Sequence, residues 1–298
     1  LGQGYNASRK TYGEKMPELP EVETVCSGLR PAMEGNIINK LELRRNDLRW
    51  PFPKDMADRA NGNRVIGVRR RAKYILIDLS SDQTIIIHLG MSGRILIDTT
   101  KKGIFNYNSN IFEKHDHVIF YMQNGTLITF NDARRFGAMD MAPTKALDKH
   151  WLLKRLGPEP LGNGLNAEYL FNRFKNKNTS IKTTLLDQLI VAGLGNIYVC
   201  EILFRSSVSP QKNTNKLKMK EIERLVKFIR SVLIEAIEAG GSSLKDHRQT
   251  NGELGYFQHN FTVYGREGEN CVNDNCPTIV KRVIQSGRST FYCSKCQR

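Results

Sequence analysis

Short apolar segments separated by turn residues characterise the first half of the chain. The dipeptide Asn124-Gly125, the strongest short hairpin signal, lies between two of these segments. Closely spaced strands with such turns predict an antiparallel β-sandwich or barrel rather than a parallel sheet. The strand candidates are residues 68–79, 84–88, 118–122 and 126–130.

From about residue 147 onward the apolar residues recur at helical spacing. One helix is predicted over 185–191, capped by Thr183 or Thr184, and another over 197–204, capped by Asn196. The glycine turn between them makes the pair resemble a helix-turn-helix element. The remaining predictions in this half are a long amphipathic core helix over 222–237 and a mobile polar loop over 242–256.

Four of the six cysteines form two close pairs near the end of the sequence, Cys271 with Cys276 and Cys293 with Cys296. Four thiolates at this spacing suit one tetrahedral Zn²⁺ in a closed, structural site. Two disulfides, or spacing by chance, are the alternative explanations.

Between the cysteine pairs, residues 280–284 and 289–292 predict a β-hairpin with Gly287 and Arg288 at its turn. A hairpin held by zinc would present Arg288 rigidly to a phosphate. The ordinary alternative is a solvated turn arginine.

The net charge of +15 indicates a polyanionic partner, with nucleic acid favoured, although ribosomal and membrane-surface proteins share this property. No run of about 18 apolar residues is present, so the sequence predicts no membrane span. Residues 1–15 are polar and basic without an apolar centre, which predicts a disordered extension rather than a secretory signal. The cysteine usage favours a reducing, intracellular compartment.

The segment from Met16 to Val25 contains two prolines and three acids. A helix start explains Pro20 onward, since proline is favoured in the first helical turn, but it does not explain Pro17 and Glu18. If translation starts at Met16 and this methionine is removed, Pro17 carries a free secondary amine with a pKa of roughly 8. Such an amine can attack a sugar C1′ while Glu18 protonates the leaving group.

Taken together, the motifs of this sequence resemble those of bacterial formamidopyrimidine-DNA glycosylases. The match runs in order from Met16 to Arg298, and the combination is specific although each motif alone is weak. The motifs are residues 16–24, 71–74, 88–93, 115–118, 132–137, 156–161, 195–198 and 287–293.

The resemblance implies a catalytic role for four residues. It makes Pro17 the nucleophile that displaces a damaged purine and forms a Schiff base, and Glu18 the proton donor. Lys73 is similar to the family's β-elimination lysine, and Arg288 to its δ-elimination residue. The implied product is a one-nucleotide gap with phosphates on both sides.

The resemblance also implies seven DNA contacts. Met91, Arg134 and Phe136 match the triad that fills the space left by an everted nucleotide, although core packing would otherwise explain the Met and the Phe. The other implied contacts are His88, His115, Lys177 and Asn196, and for a lone histidine a structural role is otherwise the better explanation.

The implied fold is α+β and multidomain: an N-terminal antiparallel β-sandwich flanked by helices, a helix–two-turn–helix domain, and a four-cysteine zinc β-hairpin finger. The expected boundaries are an extension over 1–15, then domains over 16–146, 147–257 and 258–298. The resemblance further implies one structural Zn²⁺, no organic cofactor, double-stranded DNA with an oxidised purine or abasic site as partner, a monomer, and a bacterial cytoplasmic location.

Three features depart from the family pattern: four residues rather than two separate Cys271 from Cys276, Ala133 stands where proline is common, and residues 1–15 precede the motif. As written, the extension holds the Pro17 nitrogen in a peptide bond, so we expect a mis-assigned start or processing.

Two alternatives stay open: an endonuclease VIII-type enzyme for oxidised pyrimidines, and a non-catalytic protein that binds damaged DNA. Leu19 and the Arg134/Phe136 set favour the purine enzyme.

Overall fold

The structure, a computed structural model, describes residues 16–98, 114–242 and 257–298. The predicted extension over 1–15 and nearly all of the loop predicted over 242–256 lie outside the described residues. Within the described ranges, no helix combines the length and the apolar content that crossing a membrane requires.

Two four-stranded antiparallel sheets pack against each other, which confirms the predicted sandwich. One sheet has the order β1-β6-β7-β5 and the other β2-β3-β4-β8. The strands are β1 (Ile38–Leu43), β2 (Val65–Arg71), β3 (Tyr74–Leu79), β4 (Gln83–His88), β5 (Arg94–Asp98), β6 (Asp116–Met122), β7 (Leu127–Asn131) and β8 (Ala138–Pro143).

The single strand predicted over 68–79 is wrong, because β2 and β3 form a hairpin with a tight turn at Ala72 and Lys73. Ala72 adopts a left-handed backbone, with φ of 53°, which reverses the chain without a glycine. Since side chains with a Cβ rarely adopt this conformation, the sequence carries no ordinary turn signal here.

Helices dominate the chain between the sandwich and the C-terminal hairpin. The predicted long helix is confirmed as α6, and a last hairpin, β9 with β10, confirms the one predicted between the cysteine pairs. The helices are α1 (Leu19–Met33), α2 (Met56–Ala60), α3 (Ala167–Phe174), α4 (Ile181–Leu186), α5 (Asn196–Arg205) and α6 (Met219–Glu238), and the last strands are β9 (Lys281–Gln285) and β10 (Arg288–Tyr292).

The predicted caps of α4 and α5 are wrong. Ser180 caps α4 by accepting a hydrogen bond from the Thr183 amide at 3.3 Å. Gly195 occupies the N-cap of α5, and Asn196 is the first helical residue. As the first helical residue, Asn196 does not cap the helix, and its Nδ2 instead donates to the Ser289 carbonyl of the C-terminal hairpin at 2.9 Å.

Helix α1 joins two hydrophobic cores, and this junction is where the site forms. Its Leu19 belongs to the core of the helices and the C-terminal hairpin, whereas Val22 and Val25 belong to the core of the sandwich. The Leu19 amide also donates to the Gly193 carbonyl at 3.1 Å, just before α5. Among the described residues, the members of both cores lie between Leu19 and Cys296.

Candidate active site

Glu18 lies buried where the first turn of α1 meets the first turn of α5. Only 4% of the residue is exposed, and its Oε1 accepts a hydrogen bond from the Ile197 amide at 2.9 Å. A side chain at position 195 would overlap the Glu18 carboxylate, so Gly195 is required for this approach. The fold thus places Glu18 against the N-terminus of α5, although Ile197 lies 179 positions later in the sequence.

Burial is the main reason that the pKa of Glu18 is raised to about 7. The neighbouring Glu21 acts in the same direction, whereas the charge of Lys73 and the Ile197 hydrogen bond lower the pKa. At neutral pH a large fraction of the Glu18 carboxyl groups therefore carries a proton. A carboxylic acid poised in this range is suited to general acid catalysis.

A cleft of about 350 Å³ opens beside Glu18 and collects most of the predicted catalytic residues. Pro17 is buried between Met16 and Glu18, both of which line the cleft. The other predicted residues that line it are Lys73, Met91, Asn196 and Arg288. Elements of the sandwich, the helices and the last hairpin all contribute, so the site exists only in the assembled fold.

Lys73 stands in the β2–β3 turn and is partly buried in this cleft. Burial lowers the pKa of its ammonium group, and the nearby Arg288 charge adds to this effect, while Glu18 opposes it. A lysine that loses its proton more easily than usual can act as a base.

Arg288 opens β10 and is exposed at the cleft. The hairpin is fixed from behind by Lys182, whose buried Nζ donates to the Ser289 carbonyl at 3.0 Å and to Thr290 Oγ1 at 2.6 Å. The Asn196 side chain bonds the same Ser289 carbonyl. Arg288 therefore projects from a braced hairpin.

A second cavity, of about 640 Å³, adjoins the first at Met16 and Met91 and is lined by Arg134 and Phe136. Phe136 is 43% exposed, and the Arg134 guanidinium lies 4.8 Å from the centre of its ring. The three predicted triad residues are thus brought together, and the alternative that Phe136 is a core residue is wrong.

Asp132 holds the loop that carries these side chains, a role that the sequence analysis missed. Its Oδ1 accepts from Ser92 Oγ at 2.5 Å, next to Met91, and its Oδ2 accepts from the Gly137 amide at 2.8 Å. The residue is fully buried. One carboxylate therefore ties the Met91 segment to both ends of the Arg134–Phe136 loop.

His88 lines the second cavity, and burial lowers its pKa to about 4, so that the ring is neutral at physiological pH. The Gly90 amide lies 3.1 Å from Nδ1 and donates to it, which places the ring proton on Nε2. Two predicted DNA contacts line neither of these two cavities. They are His115, which directly precedes β6, and Lys177, whose Nζ is 3.7 Å from the Asp187 carboxylate.

Glu21 is a further residue whose place the sequence analysis missed, since an acid in a first helical turn is normally solvated. It is 1% exposed and accepts hydrogen bonds from the Tyr198 hydroxyl at 2.5 Å and the Ser242 amide at 2.8 Å. Its Oε2 also accepts from the Glu18 amide at 3.0 Å. Glu21 thus fixes the backbone of Glu18 and the start of the segment after α6.

The four C-terminal cysteines converge at one point, as their spacing predicts. Their sulfur atoms all lie within 4.8 Å of one another, with separations of 3.8 Å for Cys271–Cys296 and 3.6 Å for Cys276–Cys293. All six cysteines are in the described part of the chain and none forms a disulfide. Sulfur ligands around a tetrahedral ion at about 2.3 Å lie about 3.8 Å apart, so the cluster can hold a metal ion.

The cleft brings together Glu18, Lys73 and Arg288 in a strongly basic chain. Glu18 has a pKa of about 7, Lys73 loses its proton more easily than usual, and Arg288 projects from a braced hairpin. Such groups can act as a general acid, a general base and an anion-binding cation, and the basic chain is suited to a polyanionic partner. The fold and the site therefore fit an enzyme that acts on nucleic acid, and the DNA glycosylases are one class of such enzymes.

Comparison with known proteins identifies the group within that class. The model of the formamidopyrimidine-DNA glycosylase N-terminal domain matches residues 16–139, and that of the formamidopyrimidine-DNA glycosylase H2TH domain matches residues 156–248. The formamidopyrimidine-DNA glycosylase of Ruegeria pomeroyi is 59% identical over 283 residues, which are 95% of this chain and 100% of that protein. The chain belongs to the formamidopyrimidine-DNA glycosylase family.

Solved structures agree with this assignment. The MutM (Fpg) protein from Thermus thermophilus superposes with a TM-score of 0.81 at 36% identity, covering 94% of this chain and 98% of that one. A complex between the Lactococcus lactis Fpg and DNA containing an abasic site gives a TM-score of 0.83 at 31% identity, covering 95% and 100%. The predicted fold class is confirmed.

Proposed function

We propose that this chain is a bifunctional DNA glycosylase and abasic-site lyase of base excision repair that removes oxidised purines, notably 8-oxoguanine and formamidopyrimidines. The observation that carries the proposal is the buried Glu18, with its pKa near 7, beside Pro17 in the cleft shared by Lys73 and Arg288. The family relatives named as formamidopyrimidine-DNA glycosylases support the substrate class.

In this mechanism the Pro17 nitrogen attacks C1′ as Glu18 gives its proton to the departing base. The C1′–O4′ bond then breaks, with O4′ taking up the proton that the Pro17 amine loses, and an iminium ion forms at C1′. This iminium acidifies the C2′ proton, which Lys73 removes as the 3′ phosphate leaves. Arg288 assists the second elimination, in which the 5′ phosphate leaves. The iminium withdraws electrons in both eliminations, so one covalent intermediate serves the whole sequence.

The mechanism requires the Pro17 nitrogen to be a free amine, so the active form begins at Pro17. The family match begins at residue 16, which supports a start at Met16 with removal of the methionine, or processing to the same end. The proposed domains are 16–146, 147–257 and 258–298, after an extension over 1–15. We further propose a monomer in the bacterial cytoplasm.

The proposed DNA contacts are the triad Met91, Arg134 and Phe136 together with His88, His115, Lys177 and Asn196. The apolar members of the triad would replace the stacking of an everted nucleotide, and Arg134 would bond the orphaned base. The neutral His88 ring, with its proton on Nε2, is a donor that a phosphate oxygen can accept.

Truncating the triad is expected to damage activity on intact lesion duplexes more than on abasic ones. Unstacking a paired base costs a few kcal/mol, so Phe136→Ala should slow excision of 8-oxoguanine by about tenfold or more. Cleavage of an abasic duplex should change much less. Single-turnover rates on the two duplexes test this, with Leu96→Ala, an apolar residue on β5 that is 38% exposed, as the control. Equal losses on both substrates would contradict a space-filling role.

We propose that the metal at the cysteine cluster is Zn²⁺, because four thiolates form a closed tetrahedral set with no open position for a reactant. The ion would then supply folding energy to the hairpin that carries Arg288 rather than chemistry.

Cys293→Ser is expected to remove about one zinc ion per chain and to abolish DNA binding while the sandwich stays folded. Metal analysis and gel-shift titration measure the two effects. The control is Cys26→Ser, since Cys26 lies outside the cluster and its Sγ contacts the Arg69 carbonyl at 3.7 Å, where a hydroxyl can also donate. A fully active, metal-free Cys293→Ser protein would contradict a structural zinc site.

Cleavage assays on two duplexes test the proposed substrate class. Protein beginning at Pro17 should cleave an 8-oxoguanine:cytosine duplex faster than a thymine-glycol duplex. The reverse preference would favour the endonuclease VIII type, and binding without cleavage of either would favour a non-catalytic protein.

A further inference from the structure

The turn that carries Lys73 is held in an unfavourable conformation. Ala72, the residue before Lys73, has a φ of 53°, in the left-handed region where a Cβ crowds the backbone. Ala72 is also 1% exposed, so the turn is packed rather than solvated. Such a backbone persists only when its surroundings fix it.

Glu159, which lies 87 residues further along the chain, fixes this turn from both sides. Its Oε1 accepts from the Ala72 amide at 2.6 Å and from Arg71 Nη1 at 2.6 Å. Its Oε2 accepts from Arg70 Nη1 at 2.7 Å, and the same Nη1 donates to the Ala72 carbonyl at 2.9 Å. We call these four residues, Arg70, Arg71, Ala72 and Glu159, the turn clamp.

The turn clamp is tied to the helix that carries Glu18. Arg70, whose side chain is only 9% exposed, donates from Nε to the Glu23 carboxylate of α1 at 2.9 Å. Arg30, seven residues further along α1, donates to the other Glu23 oxygen at 2.7 Å. A continuous line of ion pairs therefore runs from α1 through Arg70 to Glu159.

The turn clamp is also tied to the loop between α4 and α5. Arg71 Nη2 donates to the Gly157 carbonyl at 2.6 Å, and the Gly157 amide donates to the Gln188 carbonyl at 2.8 Å. A Cβ on Gly157 would lie 2.8 Å from the Ile190 carbonyl, so the segment that precedes Glu159 is pressed against that loop. Both elements that flank Glu18 are thus connected to the Lys73 turn through the turn clamp, by Arg70 on one side and Arg71 on the other.

We propose that Glu159 is a positioning residue for Lys73: it holds the left-handed turn and so sets where the Lys73 amine stands relative to Glu18 and the sugar. This proposal rests on the function proposed above for Lys73. A base must lie within hydrogen-bond reach of the proton it removes, and a displacement of about 1 Å can cost about a hundredfold in rate. Because the Ala72 amide itself donates to Glu159, the carboxylate acts on the backbone of the turn and does more than join two parts of the protein.

The test uses protein whose N-terminus is shown by mass spectrometry to be Pro17. Glu159→Gln keeps the size of the side chain but removes the charge shared by Arg70, Arg71 and the Ala72 amide. We expect the single-turnover rate of abasic-site cleavage to fall by about tenfold or more, with the dissociation constant for DNA changed less than about threefold. The matched control is Glu168→Gln, an exposed acid on α3, which should change neither quantity.

Rescue distinguishes positioning from general stabilisation. Glycine adopts the left-handed conformation without the Cβ penalty. The double variant Glu159→Gln/Ala72→Gly should therefore cleave an abasic duplex about fivefold faster than Glu159→Gln alone. If Glu159→Gln does not fold, as judged by circular dichroism, Arg71→Gln replaces it. That variant removes one of the two bonds to Glu159 Oε1, together with the bonds to the Leu156 and Gly157 carbonyls, but keeps the Ala72 amide bond to Glu159. It should also lower the rate, and Ala72→Gly should again recover part of the loss.

A Glu159→Gln protein as active as Glu168→Gln, while Lys73→Ala is impaired, would overturn the positioning role and leave the proposed function intact. A loss that Ala72→Gly does not recover, or one that appears only in DNA binding, would also overturn it. If the unmodified protein cleaves neither lesion nor abasic duplexes, the proposed function itself fails.

Discussion

Protein that retains residues before Pro17 is expected to bind damaged DNA but to leave it uncut. An amide nitrogen shares its lone pair with the carbonyl group, which is the same resonance that makes the peptide bond planar. It cannot attack C1′. A free proline amine has no such delocalisation, and its pKa of roughly 8 leaves a useful fraction unprotonated at neutral pH. The expected effect is a complete loss of lesion cleavage.

The two forms to compare are the whole chain and the chain that starts at Met16, each with its N-terminus measured by mass spectrometry. Both should bind DNA, since they share the hairpin and nearly all of the basic surface. Equal cleavage rates for the short form and an unprocessed long form would rule out Pro17 as the nucleophile. Lys73, which shares the cleft with Glu18, would then become the candidate.

Glu18→Gln is expected to separate the two activities. Base loss needs a proton in the transition state, so 8-oxoguanine excision should fall by roughly a hundredfold or more. An abasic site has already lost its base, and strand cleavage there should survive much better. The glutamine Oε1 can still accept from the Ile197 amide, so the effect would not come from a broken helix junction. Equal loss of both activities would assign Glu18 to the iminium step or to the fold.

The pKa of Glu18, about 7, also predicts different pH profiles for the two substrates. Excision requires both the protonated Glu18 acid and the unprotonated Pro17 amine, so its rate should pass through a maximum between their pKa values, at a pH of about 7.5, and decline above it. Abasic cleavage does not use this proton and should continue to rise until the Pro17 amine is fully deprotonated, above a pH of roughly 8. Single-turnover rates across this range test the prediction, and identical profiles for the two substrates would contradict it.

Local patterns in the sequence were sufficient to predict the elements that depend on local chemistry. The β6–β7 hairpin follows from Asn124-Gly125, the helix α6 from its apolar stripe, and the metal cluster from the spacing of its cysteines. The resemblance to the family supplied Lys73, Arg288 and the Met91 triad, and the cleft and its neighbouring cavity hold all of them.

The residues that the sequence could not reveal are those whose partners lie far away along the chain. Lys182 looks like an ordinary helix residue until Ser289, 107 positions later, is placed beside it. Glu21 and its partner Ser242 are 221 positions apart. Ala72 carries no turn signal in the sequence, and the Glu159 carboxylate that fixes its turn lies 87 positions later. Tertiary contacts, rather than local propensity, determine these burials.

The most direct test of the covalent mechanism is borohydride trapping on an 8-oxoguanine duplex, followed by mass analysis of the cross-linked peptide. Reduction converts the iminium to a stable amine, so the DNA stays attached to whichever residue attacked C1′. The account predicts a single cross-link on the peptide that begins with Pro17, through its N-terminal nitrogen. A cross-link on Lys73, or cleavage without any trapped complex, would contradict it.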